Sequence, residues 1–271
     1  MNMESIKSLW KPQAGSARAG VAWWDGKAEH FSKMELPTAE SSISMRLIEQ
    51  EGMAPRDCSV LDVGCGGGRF SFALEKQGAA VTATDFSANM IAKAKERAAQ
   101  TGSRILFSCD DWRSLDPDNR GWRHKFDLVL ANMTPAVCSA ETFLKLSDVS
   151  NNWVLMVKPT RRDNSVLDTL LKCVGAQPDT KALDETIIYA FALAWTAGYR
   201  PRLEYEEQVW ENTQPLAEAI EEYTLRIASM NELTDDGRAK IKSCLEGIAE
   251  ADGTIHETTH TTIAAMYWQV K

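Results

Sequence analysis

The sequence has no apolar run long enough to cross a membrane and no closely spaced pair of cysteines. A spanning helix needs roughly 20 consecutive apolar residues, so we expect no membrane partner. The N-terminus, M-N-M-E-S-I-K, lacks the apolar core of a secretory signal. Disulfide frameworks and cysteine zinc sites need tighter cysteine spacing, so we expect a cytoplasmic protein with buried reduced thiols. The six scattered cysteines are Cys58, Cys65, Cys109, Cys138, Cys173 and Cys244.

Positive charge is also scarce: the chain has 30 Lys and Arg residues but 38 Asp and Glu residues, so the net charge is −8. General nucleic-acid binders and proteins that bind anionic membranes depend on positive potential, so we expect neither kind of partner. The small basic pair Arg161-Arg162 is expected to be solvated surface. Internal repeats and low-complexity linkers are absent from the sequence, and 271 residues suit one large domain with an appended lid.

The pattern of apolar residues predicts an α/β fold. Strands separated by helices of 10 to 15 residues imply parallel pairing and a doubly wound, Rossmann-like sheet. We expect an N-terminal helical lid segment at 1–57 and a main domain at 58–271. Two amphipathic helices interrupt the alternation and predict a helical insertion at 213–252, before a last strand rich in threonine. We expect both helical segments, 1–57 and 213–252, to form a lid over the ligand-binding site. The clearest predicted strands are 59–63, 80–84, 105–108, 126–131, 153–157 and 202–210.

A burst of glycines follows the first predicted strand, in V-L-D-V-G-C-G-G-G-R-F. Gly64 and Gly66 fit the dinucleotide pattern G-x-G-x-x-G, but Arg69 stands at the third glycine position. Asp62, two residues before Gly64, would repel a pyrophosphate and attract a cation. A phosphate-binding P-loop is excluded because no G-K-[ST] follows. The loop therefore predicts a nucleoside ligand that carries positive charge.

Further acids follow the second and third predicted strands. Asp85 lies 21 residues after Gly64 and could accept both hydroxyls of a ribose. Asp111, in S-C-D-D-W, could accept a hydrogen bond from an adenine amine. The carboxyl ends of parallel strands meet at one edge of a sheet, where ligands of such folds bind. A surface or capping role is the alternative for each acid alone.

These segments together resemble class I S-adenosylmethionine (SAM)-dependent methyltransferases. V-L-D-V-G-C-G-G-G-R-F is similar to their first motif, V-T-A-T-D-F-S-A-N-M to their second, S-C-D-D-W to their third and F-D-L-V-L-A-N-M to their fourth. The resemblance implies strand order 3-2-1-4-5-7-6 with an antiparallel strand 7, SAM as methyl donor and S-adenosylhomocysteine as product. The contacts that it implies with the cofactor are Asp62, Gly64, Cys65, Gly66, Asp85, Phe86, Met90, Asp111, Trp112 and Asn132.

The segment His256-Glu257-Thr258-Thr259-His260 matches the zinc protease pattern H-E-x-x-H. That pattern needs a helix, whereas this threonine-rich segment predicts a strand, in which residues four apart lie on the order of 13 Å apart. We therefore predict no metal. An antiparallel last strand would begin at the cofactor edge, so His256 is a candidate general base; a surface histidine is the alternative.

Two segments are expected to contact the methyl acceptor. Trp23, Trp24 and the rival base His30 come from the N-terminal segment, with ordinary helix packing as the alternative. N-M-T-P at the end of the fourth strand supplies Asn132, Met133 and Thr134. Asn132 is the third candidate catalytic group, and a turn role is the alternative for Thr134.

The sequence thus predicts a SAM-dependent methyltransferase that acts on a small molecule in a closed pocket, as a monomer or homodimer. A protein or RNA methyltransferase and a non-catalytic SAM-binding protein are the alternatives. A nicotinamide oxidoreductase is disfavoured by Asp62 and by the missing third glycine.

Overall fold

A seven-stranded sheet forms the centre of the protein. The computed structural model describes residues 3–10, 17–176 and 180–270. The strand order is β3-β2-β1-β4-β5-β7-β6, and β7 is antiparallel to both of its neighbours while the other pairs are parallel. The predicted fold class and strand order are confirmed. The strands are β1 Ser59–Val63, β2 Ala80–Asp85, β3 Leu106–Cys109, β4 Phe126–Asn132, β5 Ser150–Asn164, β6 Arg202–Pro215 and β7 Thr254–Gln269.

Helices cover both faces of the sheet, because the central strands are apolar on both sides. Val60 of β1 packs into one core with α3, α4 and α5, whereas Leu61 packs into a second core with α1, α6 and α8. The helices are α1 Met3–Leu9, α2 Ala17–Lys33, α3 Ile43–Gln50, α4 Arg69–Lys76, α5 Ala88–Thr101, α6 Ala140–Val149, α7 Ser165–Cys173, α8 Thr180–Thr196, α9 Leu216–Met230 and α10 Asp235–Ile248. Among the described helices, none is both long and apolar enough to cross a bilayer.

The last three strands run far beyond the edge at which β4 ends. Asn132, the last residue of β4, is in register with Val157, and Val157 is in register with Ala265. Beyond that level lie residues 158–164 of β5, 205–215 of β6 and 254–264 of β7, which we call the sheet extension. The predicted strands 153–157 and 202–210 were therefore too short. The prediction depended on apolar residues, whereas the residues that continue both strands are mostly polar.

Helices cover one face of this sheet extension. A third apolar cluster joins α7, α9 and α10 to Ile255 of β7, with Tyr223 and Ile227 of α9 fully buried. Helix α2 packs against both α9 and α5. The helices α9 and α10 lie inside the predicted insertion 213–252, and the division of the chain into a lid segment and a main domain stays a prediction.

A disulfide joins Cys173 of α7 to Cys244 of α10, 71 residues apart in the sequence. The expectation of six reduced thiols is therefore corrected. Spacing along the chain does not reveal this pair, because only the packing of α7 on α10 brings the two cysteines together. Cys58, Cys65 and Cys138 are free and at least partly buried, and the free Cys109 is exposed.

The disulfide predicts a definite thiol count. Protein denatured without reductant should present the four free cysteines to a thiol reagent, and all six after reduction. In Cys173→Ser, reduction should leave the count unchanged, since Cys244 has lost its partner. Six thiols in the unreduced wild type would contradict the bridge.

Candidate functional site

The loop between β1 and α4, residues 64–68, lies at the carboxyl end of β1 and is tied to β2. The backbone N–H groups of Gly64 and Cys65 both donate to the carbonyl oxygen of Thr84, at 2.8 and 3.0 Å. Gly64, Gly66 and Gly68 all have positive φ, at 68°, 54° and 81°. Side chains disfavour this conformation, so the repeated glycine allows the tight loop.

Two of these glycines face different surroundings. A Cβ on Gly64 would lie 1.9 Å from Thr134 Oγ1, so this position packs directly against the turn after β4. A Cβ on Gly66 would meet only Met90 Sδ, at 3.8 Å. The protein therefore leaves room beside Gly66, where the loop backbone could approach a ligand, whereas Gly64 is required by the fold itself.

Asp85, the last residue of β2, organises the loop. Its Oδ2 accepts the backbone N–H of Gly66 and its Oδ1 accepts that of Ser87, both at 2.9 Å. Ser87 in turn caps α5 by accepting the N–H of Met90. Burial raises the pKa of Asp85, while the two N–H donors oppose that shift. The carboxylate thus lies between the loop and the start of α5.

Asp62 lies beneath the same loop and is 2 % exposed. Burial raises the pKa of Asp62 to about 7, although the Ser71 hydroxyl, which donates to Asp62 Oδ2 at 2.5 Å, favours ionisation. Asp85 raises this pKa further because its charge is of the same sign. A bound cation would relieve this repulsion, so the two acids fit a positively charged ligand.

Helix α2 lies over the loop and brings a third carboxylate. A Cβ on Gly67 would be 3.4 Å from the backbone nitrogen of Ser32 in α2. Asp25 of α2 accepts a hydrogen bond from the Ser87 hydroxyl at 2.5 Å, beside Asp85. Sequence reasoning missed Asp25: it looked to strand ends for acids, and only the packing of α2 shows which way Asp25 points.

The predicted aromatic residues of α2 lie on different sides of the helix. Trp23 faces α9, where the Arg226 guanidinium carbon lies 5.8 Å from its ring centroid. Trp24 contacts both Trp23 and Phe31, with ring centroids 4.5 and 6.1 Å apart. It shares the helix face of buried Ala28, four residues on. His30 is exposed on the outer side of α2.

The turn after β4 packs against both the glycine loop and helix α3. Asn132 Oδ1 accepts a hydrogen bond from Ser44 of α3 at 2.5 Å. Thr134 is 4 % exposed, and its hydroxyl accepts the N–H of Ala136, as a turn residue does. Met133 between them has φ 53°. Lys158, also buried, donates from Nζ to the Thr134 carbonyl at 2.5 Å, and burial lowers the pKa of Lys158 to about 8.

The remaining predicted cofactor contacts are spread around the ends of β2 and β3. Phe86 is half-buried beside Asp85. Asp111 forms a two-point ion pair with Arg113, which lowers the pKa of Asp111. Trp112 is 1 % exposed, packs in the core with α6, and donates its indole N–H to the Thr142 carbonyl at 2.9 Å.

The structure does not bring His256 to the glycine loop. The segment 256–260 is a strand, as predicted, but His256 lies nine residues along β7 from Ala265, the level at which β4 ends, and this is a path of roughly 30 Å along the strand. The expectation that the last strand begins at the cofactor edge is therefore wrong. Glu257 faces α9, so the side chain of His256 lies on the opposite face, with Nδ1 3.0 Å from Thr213 Oγ1. Within the described ranges, no group of three or more potential ligands could hold a metal.

Comparisons with known proteins match part of this chain to methyltransferases. Residues 60–150 match the family described as "Methyltransferase domain". The chain is 36% identical over 107 residues, 40% of its length, to the ubiquinone biosynthesis O-methyltransferase of Coxiella burnetii, 42% of which is covered. It is 37% identical over 131 residues, 48% of its length, to a 23S rRNA (uracil(1939)-C(5))-methyltransferase of Shewanella amazonensis, 25% of which is covered.

A third relative is the glycine/sarcosine N-methyltransferase of Parasynechococcus marenigrum, 34% identical over 107 residues, 40% of this chain and 34% of that protein. The chain thus spans less than half the length of these curated relatives. The family match at residues 60–150 includes the glycine loop, Asp62 and Asp85, but not Asp25 of α2.

Asp62→Asn should remove a pH dependence of stability. Because the pKa of Asp62 is about 7 in the folded protein, against an ordinary 3.8, the folded protein keeps a proton that the unfolded chain loses. The free energy of unfolding should therefore fall by about 2–3 kcal/mol as the pH rises from 5 to 8, because the stabilising effect of the bound proton on Asp62 is lost. Asparagine can still accept from Ser71, so the variant should lack this loss.

Urea denaturation of both proteins at the two pH values, without ligand, measures the effect. The free energy of unfolding of the wild type should fall relative to that of Asp62→Asn. A parallel change in the two proteins would show that Asp62 is already ionised at pH 5.

Proposed function

We propose that this chain, whose residues 60–150 form a methyltransferase domain of the class I SAM-dependent family, is a methyltransferase that acts on a small acceptor. The observation that carries the proposal is the glycine loop with Asp62 beneath it and Asp85 beside it. The acidic surroundings and the open space beside Gly66 suit a cationic nucleoside without phosphate.

The residues at the loop suit the parts of SAM. We propose that Asp85 accepts the ribose hydroxyls, that Asp62 favours the methionine ammonium, and that the loop backbone from Gly64 to Gly66 lies along the methionine. Phe86 and Met90 would flank the adenine. Asp111 can contact the adenine amine if it shares its oxygens with Arg113. When bound, SAM supplies a methyl group already activated on a sulfonium.

The chain itself has to align the acceptor, exclude water and accept a proton. Helix α2 covers the loop, and α3 contacts the end of β4 through Ser44 and Asn132. This arrangement supports a small acceptor in a closed pocket. We propose Asn132 as the group that orients the acceptor, supported by its bond to Ser44 of α3. Trp24 and Met133 are the proposed apolar contacts. His30 and His256 remain less favoured, since His30 faces solvent and His256 lies on the far face of β7.

The choice of a small acceptor rests on the net charge of the chain and on the position of α2 over the glycine loop. The relatives are named as an O-methyltransferase of ubiquinone biosynthesis, a glycine/sarcosine N-methyltransferase and a 23S rRNA methyltransferase. The net charge of −8 disfavours RNA here. A cytoplasmic location and a monomeric or homodimeric state are parts of the proposal. The thiol count tests the location: a reduced Cys173–Cys244 pair would support the cytoplasm, whereas the bridge favours a compartment that is not reducing.

Calorimetry with SAM, S-adenosylhomocysteine and NAD tests the function. We expect binding of the first two and none of NAD. Asp85→Asn should weaken SAM binding by about 10- to 100-fold, because a charged acceptor of two hydroxyls is lost. Unchanged affinity in a folded Asp85→Asn protein would reject the ribose assignment, and no SAM binding by the wild type would reject the function.

The loop is tested by a matched pair of glycine variants. Gly66→Ala and Gly102→Ala each force a side chain onto a positive φ, 54° and 68°, and neither added Cβ clashes with the protein. Both should therefore lose a similar amount of stability, on the order of 1–2 kcal/mol. Only Gly66→Ala should lose SAM affinity, at least tenfold, because Gly102 ends α5 far from the loop. Equal SAM affinities would show that the ligand does not approach Gly66.

A further inference from the structure

A buried polar cluster lies between α2, α9 and the sheet extension, and no role described so far uses it. We call it the arginine cluster and define it as Arg162, Arg226, Trp23, Tyr223 and Glu257. Arg226 is central: its guanidinium carbon lies 5.8 Å from the Trp23 ring and 5.9 Å from the Tyr223 ring. Its Nη1 lies 3.9 Å from Glu257 Oε2.

Arg162 comes to this cluster from β5. The strand pairing is irregular between Thr160 and Asp163, and Arg162 lies against the Trp210 ring of β6, 4.8 Å from its centroid. Burial lowers the pKa of Arg162 to about 10, and the like charge of Arg226 adds to this effect. The expectation that the pair Arg161-Arg162 is surface holds for Arg161 alone, because Arg162 is partly buried.

The cluster has more hydrogen-bond donors than acceptors. Within the part of the chain that the structure describes, Trp23 Nε1, Arg162 Nε and the Tyr223 hydroxyl are buried without a partner. All three groups carry a hydrogen to donate, and Tyr223 is fully buried. Arg162 also forms no ion pair among the described residues, and the carboxylate of Glu257 already lies beside Arg226.

Polar groups next to the cluster do have partners. Lys27 of α2 pairs with Glu222 of α9 at 2.5 Å, and Asn164 donates to Thr259 at 2.6 Å. The shortage of acceptors is therefore local to the arginine cluster. Buried donors are seldom left without an acceptor, so these three donors call for an oxygen from outside the chain, which a ligand or a bound water would supply.

Helix α2 connects the arginine cluster to the region of the glycine loop. Trp23 and Asp25 belong to the same helix, and Asp25 bonds Ser87 beside Asp85. On β7, Glu257 and Ala265 lie on one face of the sheet, since alternate residues of a strand point the same way. That face leads from the cluster to the level at which β4 ends.

We infer that the arginine cluster binds a carboxylate group of the methyl acceptor, an inference that rests on the proposed function. A carboxylate offers two coplanar oxygens, which match the fork of donors on a guanidinium. Its single negative charge also suits a cluster in which Glu257 already balances one arginine, whereas a doubly charged phosphate would repel Glu257 more strongly.

The test uses benzoate as a carboxylate probe and benzamide as its uncharged analogue. Each is titrated into protein labelled with ¹⁵N at tryptophan, with and without S-adenosylhomocysteine. Benzoate should shift the indole N–H signal of Trp23, which is identified by its absence in Trp23→Phe, and benzamide should not. Arg162→Gln should weaken benzoate binding at least tenfold.

Arg161→Gln is the matched control, because Arg161 is adjacent in sequence but exposed, and it should bind benzoate like the wild type. If Arg162→Gln does not fold, Arg162→Lys replaces it: the charge remains but the Nε donor is lost, and affinity should still fall. Equal benzoate affinity in the folded Arg162 variant and the wild type overturns the inference. So does benzoate binding without a Trp23 shift, equal binding of benzamide, or no benzoate binding by the wild type.

The two proposals fail in different ways. Loss of S-adenosylhomocysteine binding rejects the proposed function, while the titration without that compound still decides whether the cluster binds a carboxylate. Binding of S-adenosylhomocysteine with no benzoate binding rejects the carboxylate inference alone.

Discussion

The carboxylate of Asp85 accepts backbone N–H groups from both Gly66 and Ser87, and the shape of the site depends on these two bonds. The first bond holds the glycine loop at the end of β1, and the second fixes the start of α5. Ser87 then donates to Asp25, so the position of α2 over the loop depends on the same group. Asp85, at the end of β2, thus links the sheet, the glycine loop and helix α2.

The sheet extension carries a second group of helices beyond the end of β4. Strands β5, β6 and β7 continue past the end of β4 and present one face to α7, α9 and α10. Helix α2 lies between α5 and α9 and contacts both helices. The disulfide between α7 and α10 joins two of the helices that pack on the sheet extension. Helix α2 therefore connects the region of the glycine loop to the helices on the sheet extension.

Charge divides this region into two parts. Asp25, Asp62 and Asp85 gather around the glycine loop, whereas Arg162 and Arg226 gather near the far side of α2. A cationic methyl donor and an anionic acceptor would each be attracted to one part and repelled by the other. Opposite potentials of this kind would orient the two reactants with few direct contacts.

The sequence by itself determined the α/β class, the strand order through the resemblance, the glycine loop, and the acids at the strand ends. These features depend on residues that are close together along the chain, such as Asp62 and Gly64, or on the alternation of strands and helices. The same logic showed that His256-Glu257-Thr258-Thr259-His260 is a strand.

Only the tertiary structure decided which side chains meet across elements. A helix in the sequence does not show what lies on each of its faces, so Asp25 was missed and His30 was expected inside. A shift of one residue in a strand reverses the face, so Glu257 turns towards Arg226 while His256 turns away. Cys173 and Cys244, and likewise Arg162 and Arg226, come together through packing of distant segments, which no local pattern of residue types encodes.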